Sequence, residues 1–287
     1  MTVLSTIYQL RGPFPAAEQY QEIAETIIIP GGEAGNGAVV LQNLGLQVML
    51  DGGYLGDLTA EPLVQALSTR GIDCSRLQHR AGFPGWRDIV FCDGESRTPF
   101  GWFIRYLFGG EPLWSLPDEA AIRACRCVAL DPFFGAASAQ AAEMCVKHGK
   151  DYVTIDCEWD NPIAQQARMI ALSQEFTHRA YPDQTVEDLM ARYESACRGL
   201  VIFTLGSRPM LYRSPTTPRA YLPPFKVQVV DTLGAGDTFR AGLVYALLHG
   251  MAEPEMVQFA AACAAVACTR FPSVLQPPQL SEVMALI

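Results

Sequence analysis

Apolar runs alternate with helical spacings along most of the chain, and that rhythm predicts an α/β protein. Gly37 to Gly45 reads as a helix closed by glycine, with a strand-like run from Leu46 to Leu50 behind it. Thr59 to Thr69 has amphipathic spacing, with Thr59 as cap, Pro62 in the first turn and Gly71 just past the end. A buried strand closes at Ala129-Leu130-Asp131-Pro132, a helix follows from Ala136 to His148, and the next strand runs from Tyr152 to Asp156. Thr185 to Cys197 is a further helix and Gly199 to Thr204 a further buried strand. Strand then helix, repeated, predicts βαβ units and a mainly parallel sheet.

Two stretches break the rhythm. Ile89 to Arg105 holds two strand-like runs around Asp93-Gly94, a hairpin dipeptide. Met210 to Val230 is rich in Pro, Thr and Val and predicts short antiparallel strands. No repeat or long polar linker divides the 287 residues, so a single α/β domain over 1–287 with a small β appendage is the expected organisation.

Charge and cysteine usage narrow the partners. The net charge is −9, the only lysines are Lys147, Lys150 and Lys226, and no basic run occurs, which argues against a nucleic-acid partner. The nine cysteines are scattered without a CxxC, and the reading is buried, reduced thiols. The segment MTVLSTIYQLRG has no secretory pattern and no apolar run reaches the ~18 residues of a membrane span, so a cytoplasmic protein without a membrane partner is expected. His79, His148, His178 and His249 are too dispersed for a metal set. Asp156, Glu158 and Asp160 read as a solvated strand edge. The aromatic run Trp86, Phe91, Phe100, Trp102, Phe103 and Tyr106 either closes over a site or faces a second copy.

The chemistry concentrates in Lys226 to Leu243. A β-type run, Val227 to Val230, enters Asp231-Thr232-Leu233-Gly234-Ala235-Gly236, and a helix is expected to start near Asp237. Small residues let backbone approach a ligand closely, and the unpaired amides of a helix start attract phosphate. Asp237 beside such an anion site suits a base that takes a proton from a hydroxyl attacking phosphorus; it equally suits a simple helix cap. A P-loop is absent, and the third glycine of a dinucleotide fingerprint is replaced by Phe239. A second stretch, Pro30-Gly31-Gly32-Glu33-Ala34-Gly35-Asn36-Gly37, leads into a helix from Val39 to Leu44. Its Asn36 is either a cap or a donor–acceptor pair for a polyhydroxy ligand.

Asp231-Thr-Leu-Gly-Ala-Gly-Asp-Thr-Phe239 resembles the C-terminal signature of the ribokinase-like, or PfkB, carbohydrate kinases. Gly31-Gly32 with Asn36 and Leu44-Gly45 resembles the N-terminal one. The resemblance implies a three-layer sandwich with a mainly parallel central sheet and a small β lid, from segments 6–29 and 86–107. It implies transfer of the γ-phosphoryl group of ATP, with Mg²⁺, to a hydroxymethyl group of a sugar or sugar derivative. Asp237 would be the general base and the amides of Gly234, Ala235 and Gly236 the anion hole. Gly31, Gly32, Asn36 and Asp237 would hold the sugar; Thr204, Gly206, Thr232, Gly234 and Gly236 would contact the nucleotide. It also implies K⁺ near Asp231; a homodimer through the lid is one of the two readings of the aromatic run. A nucleoside acceptor, and a sugar- or nucleotide-binding regulatory member with impaired catalysis, are the alternatives.

The chain departs from the family pattern in places. No Asp precedes Asp51, where the family's first strand ends in a substrate-binding Asp. The N-x-x-E motif that helps organise Mg²⁺ is replaced by Ser173-Gln-Glu-Phe176, leaving Glu175 as the candidate acid for the metal. Pro209 stands where glycine is common, and Phe271-Pro272-Ser273 replaces a glycine-rich nucleotide loop.

Overall fold

The computed structural model describes residues 1–94 and 96–287. The chain divides into two compact units. Unit 1 holds Met1–Ser115, Val227–Thr238 and Ala265–Glu282, and unit 2 holds Leu116–Lys226, Phe239–Ala264 and Val283–Ile287.

Unit 1 is built on β1 (Val3–Leu10), β2 (Ile23–Gly31), β3 (Arg87–Cys92) and β4 (Arg97–Gly101), with helices α1 (Gly32–Asn43), α2 (Ala60–Ser68) and α3 (Phe103–Phe108). The sheet runs β2-β1-β3-β4, with β1 antiparallel to β2 and parallel to β3, and β3 antiparallel to β4. Its core joins Ile7, Ile29 and Val90 to Ala38 and Val39 of α1 and Leu63 and Leu67 of α2. Each fully buried leucine contributes roughly 1.5–3 kcal/mol.

The expected hairpin forms, closed by Asp93, whose Oδ1 accepts from the Ser96 amide at 2.7 Å. Its second strand stops at Gly101 and does not reach Arg105. Helical spacing in α3 brings Phe103 and Tyr106 to one side, against the buried Trp86 at ring distances of 6.5 and 5.7 Å. Leu46 to Leu50 is not a strand: only a Met49–Asp73 bridge forms, and Gly52, at φ +118°, turns the chain away. Helix α1 begins at Gly32, five residues before the expected start. Its first amides find an acceptor outside the helix, Ala34 donating to the Met1 carbonyl at 2.9 Å. Val227 to Val230 is not a strand either; Val229 and Val230 are exposed, and the Val230 amide donates to the Cys268 carbonyl at 2.8 Å.

Unit 2 contains α4 (Glu119–Ala124), β5 (Cys127–Leu130), α5 (Ala136–Lys147), β6 (Asp151–Ile155), α6 (Pro162–Gln166), β7 (Met169–Ser173), α7 (Gln174–Ala180), α8 (Val186–Ala196), β8 (Leu200–Thr204), β9 (Met210–Arg213) and β10 (Ala220–Leu222). The six strands run β10-β9-β8-β7-β6-β5. From β5 to β8 they are parallel, and β9 and β10 are antiparallel additions, as expected for Met210 onward. The predicted strands and helices here fall within a residue or so of the observed ones, because a strand buried on both faces reads as an apolar run. Thr185 caps α8, its Oγ1 accepting from the Asp188 amide at 3.1 Å.

Helix α9 (Ala235–Leu248) has its first turn in unit 1 and the rest in unit 2; α10 (Glu253–Ala267) follows, and α11 (Leu280–Leu286) ends the chain. Within unit 2, a Cβ on Gly242 of α9 would lie 2.7 Å from the Ala260 Cα of α10, so only glycine permits that approach. The same stretch buries an ion pair between Arg240 and Asp131. Among the described residues no helix is long and apolar enough to cross a membrane.

Candidate active site

The glycine-rich stretch and the Asp237 segment meet in unit 1. Asn36 sits in the second turn of α1 and Asp237 in the first turn of α9, and the Asn36 Nδ2 donates to Asp237 Oδ2 at 2.7 Å. Asn36 is therefore no helix cap; its side chain orients the carboxylate. Gly234, at φ +75°, makes the turn into α9, and a Cβ there would press to 3.4 Å from Asn36 Nδ2. Asp231 Oδ1 accepts from the Leu233 amide at 3.1 Å and steadies the same turn.

A cavity of about 150 Å³ opens in front of these groups. Gly31, Gly32, Asn36, Gly234 and Asp237 all line it, five of the positions expected from the sequence. Gly31 and Gly32 are there because side chains do not fit. A Cβ on Gly31 would lie 2.1 Å from Ser5 Oγ; one on Gly32, at φ +73°, would lie 2.5 Å from the Met1 carbonyl oxygen. The amides of Gly234, Ala235 and Gly236 stand at the N-terminus of α9, where the helix dipole favours an anion. The Ala235 amide also makes a 3.2 Å turn contact with the Thr232 carbonyl; Thr232 is exposed.

The sheet contributes residues the sequence reading did not single out. Ser5 on β1, Asp88 and Val90 on β3, and Arg97 and Pro99 on β4 line the cavity, with Glu33 from α1. Asp88 pairs in register with Ser5. Burial, followed by the charge of Glu33, pushes its carboxyl up to about 6 against the opposing pull of the Ser5 hydroxyl. A legible signal existed: Asp88, Val90 and Cys92 occupy one face of a period-two strand, and a lone carboxylate on an inward face is unusual.

The other expected residues lie elsewhere. Thr204 ends β8 in unit 2, its hydroxyl 3.3 Å from the Leu172 carbonyl, and Gly206 follows at φ +63°. Glu175 is exposed in the first turn of α7. Asp156 is not the solvated edge expected of it. It is half-buried at φ +38°, and its carboxylate accepts from the Ser173 amide at 2.7 Å and hydroxyl at 2.9 Å. Burial raises its pKa, and the nearby Glu175 charge adds to that. Asp231 Oδ2 is buried without a partner, and burial likewise raises that carboxyl. The cysteines are free thiols, and burial pushes Cys145 and Cys263 up to about 12, which leaves them inert at neutral pH.

Residues 5–278 match the pfkB family of carbohydrate kinases, and the chain belongs to that family. It is 37% identical over 86 residues to a ribokinase of Schizosaccharomyces pombe, a stretch covering 30% of this chain and 27% of that one. Against a ribokinase of Bacillus subtilis it is 23% identical over 271 residues, covering 90% of this chain and 88% of the other. The fold is that of the Arabidopsis thaliana ribokinase complexed with ribose and ATP, with a TM-score of 0.80 at 18% identity over 99% of this chain and 96% of that one. The fold is thus ribokinase-like α/β, with a mostly parallel six-stranded sheet and a small mixed sheet.

Proposed function

We propose that this protein is an ATP-dependent kinase that transfers the γ-phosphoryl group to a hydroxymethyl group of a sugar or sugar derivative. The observation that carries this reading is the Asn36–Asp237 hydrogen bond at the mouth of the Gly234–Gly236 turn. It aims a carboxylate into a cavity whose rim is a helix N-terminus. The ribose and ATP held by the Arabidopsis relative agree with the same chemistry.

In this mechanism Asp237 takes the proton from the substrate hydroxyl as its oxygen attacks the γ-phosphorus, and ADP leaves in line. Asn36 fixes the carboxylate through its amide, so the base does not have to reorganise during the reaction. The amides of Gly234, Ala235 and Gly236 stabilise the charge on the equatorial oxygens, without the lysine a P-loop would use. Gly31 and Gly32 give the sugar room against the backbone. Thr204 and Gly206 at the end of β8, with Thr232, are assigned to the nucleotide. On this reading residues 1–287 work as one kinase domain with segments 6–29 and 86–107 as its lid.

Mg²⁺, when bound, neutralises phosphate charge. Among the described residues no group of three His, Cys, Asp or Glu converges as a metal cage. The residues present fit Mg²⁺ as an ion held mainly by phosphates and water, with the exposed Glu175 as the candidate outer carboxylate. The buried, unpartnered Asp231 Oδ2 fits a monovalent cation such as K⁺. Ile28 and Phe100, exposed on the small sheet, and Trp102, exposed just past β4, favour a homodimer through the lid, which sedimentation tests.

The test is ADP formation from ATP and Mg²⁺ across a panel of sugars, ketose derivatives and nucleosides. Sugar-dependent ADP release supports the reading; release with nucleosides alone replaces the acceptor class; none with any acceptor overturns it.

A further inference from the structure

One face of the small sheet forms a wall of the cavity: Ile29 on β2, Ser5 on β1, Asp88 and Val90 on β3, and Pro99 on β4. Register explains the set, since Ser5 pairs with both Ile29 and Asp88, and Val90 pairs with Pro99. The wall is apolar except for the Ser5–Asp88 pair. Asp88 Oδ1 is shut off from solvent and has no hydrogen-bond partner. Such an acceptor is costly to keep unless something brings it a donor. The Ser5 hydroxyl pulls on the Asp88 carboxyl, yet Oδ1 is left without a donor. The charged groups lining the same cavity are Glu33 from α1, Asp237 from α9 and Arg97 from β4; Glu33 repels Asp88's charge while pairing with the Met1 ammonium at 3.3 Å, Asp237 accepts from Asn36, and Arg97 is exposed at the far end of the hairpin.

From this juxtaposition we infer that Asp88 is the specificity-determining acceptor for the substrate, receiving a hydrogen bond from a sugar hydroxyl or ammonium group remote from the hydroxyl that is phosphorylated. The inference rests on the kinase reading for its substrate class. It adds a residue and a requirement: the acceptor sugar carries a donor at that position. A buried carboxylate that loses its donor strands an unpaired charge, which is how a site rejects an analogue lacking that group by a large factor. The acidic surroundings mean a protonated amine gains more than a neutral hydroxyl. Asp88 does not touch the transferring phosphoryl group; it acts on binding and orientation.

The experiment compares wild type with Asp88→Asn, using sugar binding by calorimetry and turnover by ADP release. The panel contains neutral sugars, their deoxy analogues and amino sugars. Asp88→Asn is expected to weaken sugar binding and raise KM tenfold or more, with a much smaller change in kcat. In wild type, affinity is expected to fall as pH drops below about 6, while Asp88→Asn is flat across that range. An ammonium partner appears as a steeper loss for the amino sugar and a marked salt dependence; a hydroxyl partner, as equal losses for neutral sugars. If Asp88→Asn melts well below wild type, the wild-type pH profile and the deoxy analogues decide alone. Sugar affinity and KM within twofold of wild type, or no sugar bound by wild type at millimolar concentration, overturns the inference. Because binding is read without turnover, loss of sugar affinity in Asp88→Asn upholds Asp88 even where no phosphoryl transfer is found and the kinase reading fails.

Discussion

Asn36 and Asp237, 201 positions apart in the chain, meet through a 2.7 Å hydrogen bond from the asparagine amide to the aspartate carboxylate. Each residue came from a separate motif, and each had a structural explanation when considered alone. Their contact turns two weak signals into one oriented carboxylate. Hydrogen bonds to a charged group contribute about 1.5–3 kcal/mol. Asn36→Ala is therefore expected to lower kcat/KM roughly ten- to a hundredfold, with a melting temperature lowered by several degrees but a folded protein. Steady-state kinetics beside thermal denaturation checks this, and unchanged kinetics removes Asn36 from the site.

Gly31→Ala and Gly32→Ala test the close packing behind the cavity. A methyl at Gly31 collides with Ser5 Oγ, and one at Gly32 meets the Met1 carbonyl in a left-handed conformation. Each variant is expected to destabilise the protein by about 1–3 kcal/mol through overpacking and strain. Urea denaturation reads that loss directly. Wild-type stability in both variants contradicts the close contacts.

Asp88 ties stability to pH in a stated direction. Its carboxyl is raised from 3.8 to about 6, so the folded protein binds this proton more tightly than the unfolded chain does. The folded state therefore loses stability as pH rises from about 4 to about 6, and carries the full penalty above that. Asp88→Asn removes the penalty, so the unliganded variant is expected to be more stable than wild type by on the order of 2 kcal/mol at pH 7.5. The gain shrinks at pH 5. Denaturant melts at the two pH values measure it; a gain that grows on acidification reverses the sign and refutes the buried charge.

Arg240 and Asp131 form a buried ion pair in unit 2, and the Asp131 carbonyl accepts from the Ser138 hydroxyl at 2.7 Å. Arg240→Ala strands the Asp131 carboxylate and is expected to cost about 3–5 kcal/mol. The double variant Arg240→Met with Asp131→Leu is expected to recover most of that loss. A double variant no better than the single one assigns the loss to packing and not to charge.

Asp231 Oδ2 has no partner, and a monovalent cation would satisfy it. K⁺ is expected to stimulate turnover, and Asp231→Ala to abolish the response. Equal rates in K⁺ and in a bulky organic cation contradict this.

The sequence was most legible where one rule dominated. Strands buried on both faces, such as Leu200–Thr204, appear as apolar runs, and Thr185 announces its helix because its hydroxyl caps it. Leu46 to Leu50 and Val227 to Val230 have strand composition too, yet among the described residues they find no partner strand to complete a ladder, which no local pattern records. The early start of α1 escaped because glycine weakens a helix, while here Gly35 and Gly37 are buried and Gly35 lies against Thr2 and Pro30. Asp88 was missed for a related reason. Its importance lies in Ser5, Ile29 and Glu33 around it, which are distant in sequence and adjacent only in the fold.

The central claim is that Asp237 deprotonates a sugar hydroxyl for phosphoryl transfer. The most direct measurement is the yield of sugar phosphate and ADP from ATP, Mg²⁺ and the best acceptor, in wild type and in Asp237→Asn, with acceptor binding recorded for both. One-to-one formation of the two products by wild type is expected. A fall of about 10²–10⁴ in kcat is expected for Asp237→Asn, with sugar and nucleotide still bound. Turnover by Asp237→Asn at the wild-type rate would contradict the account.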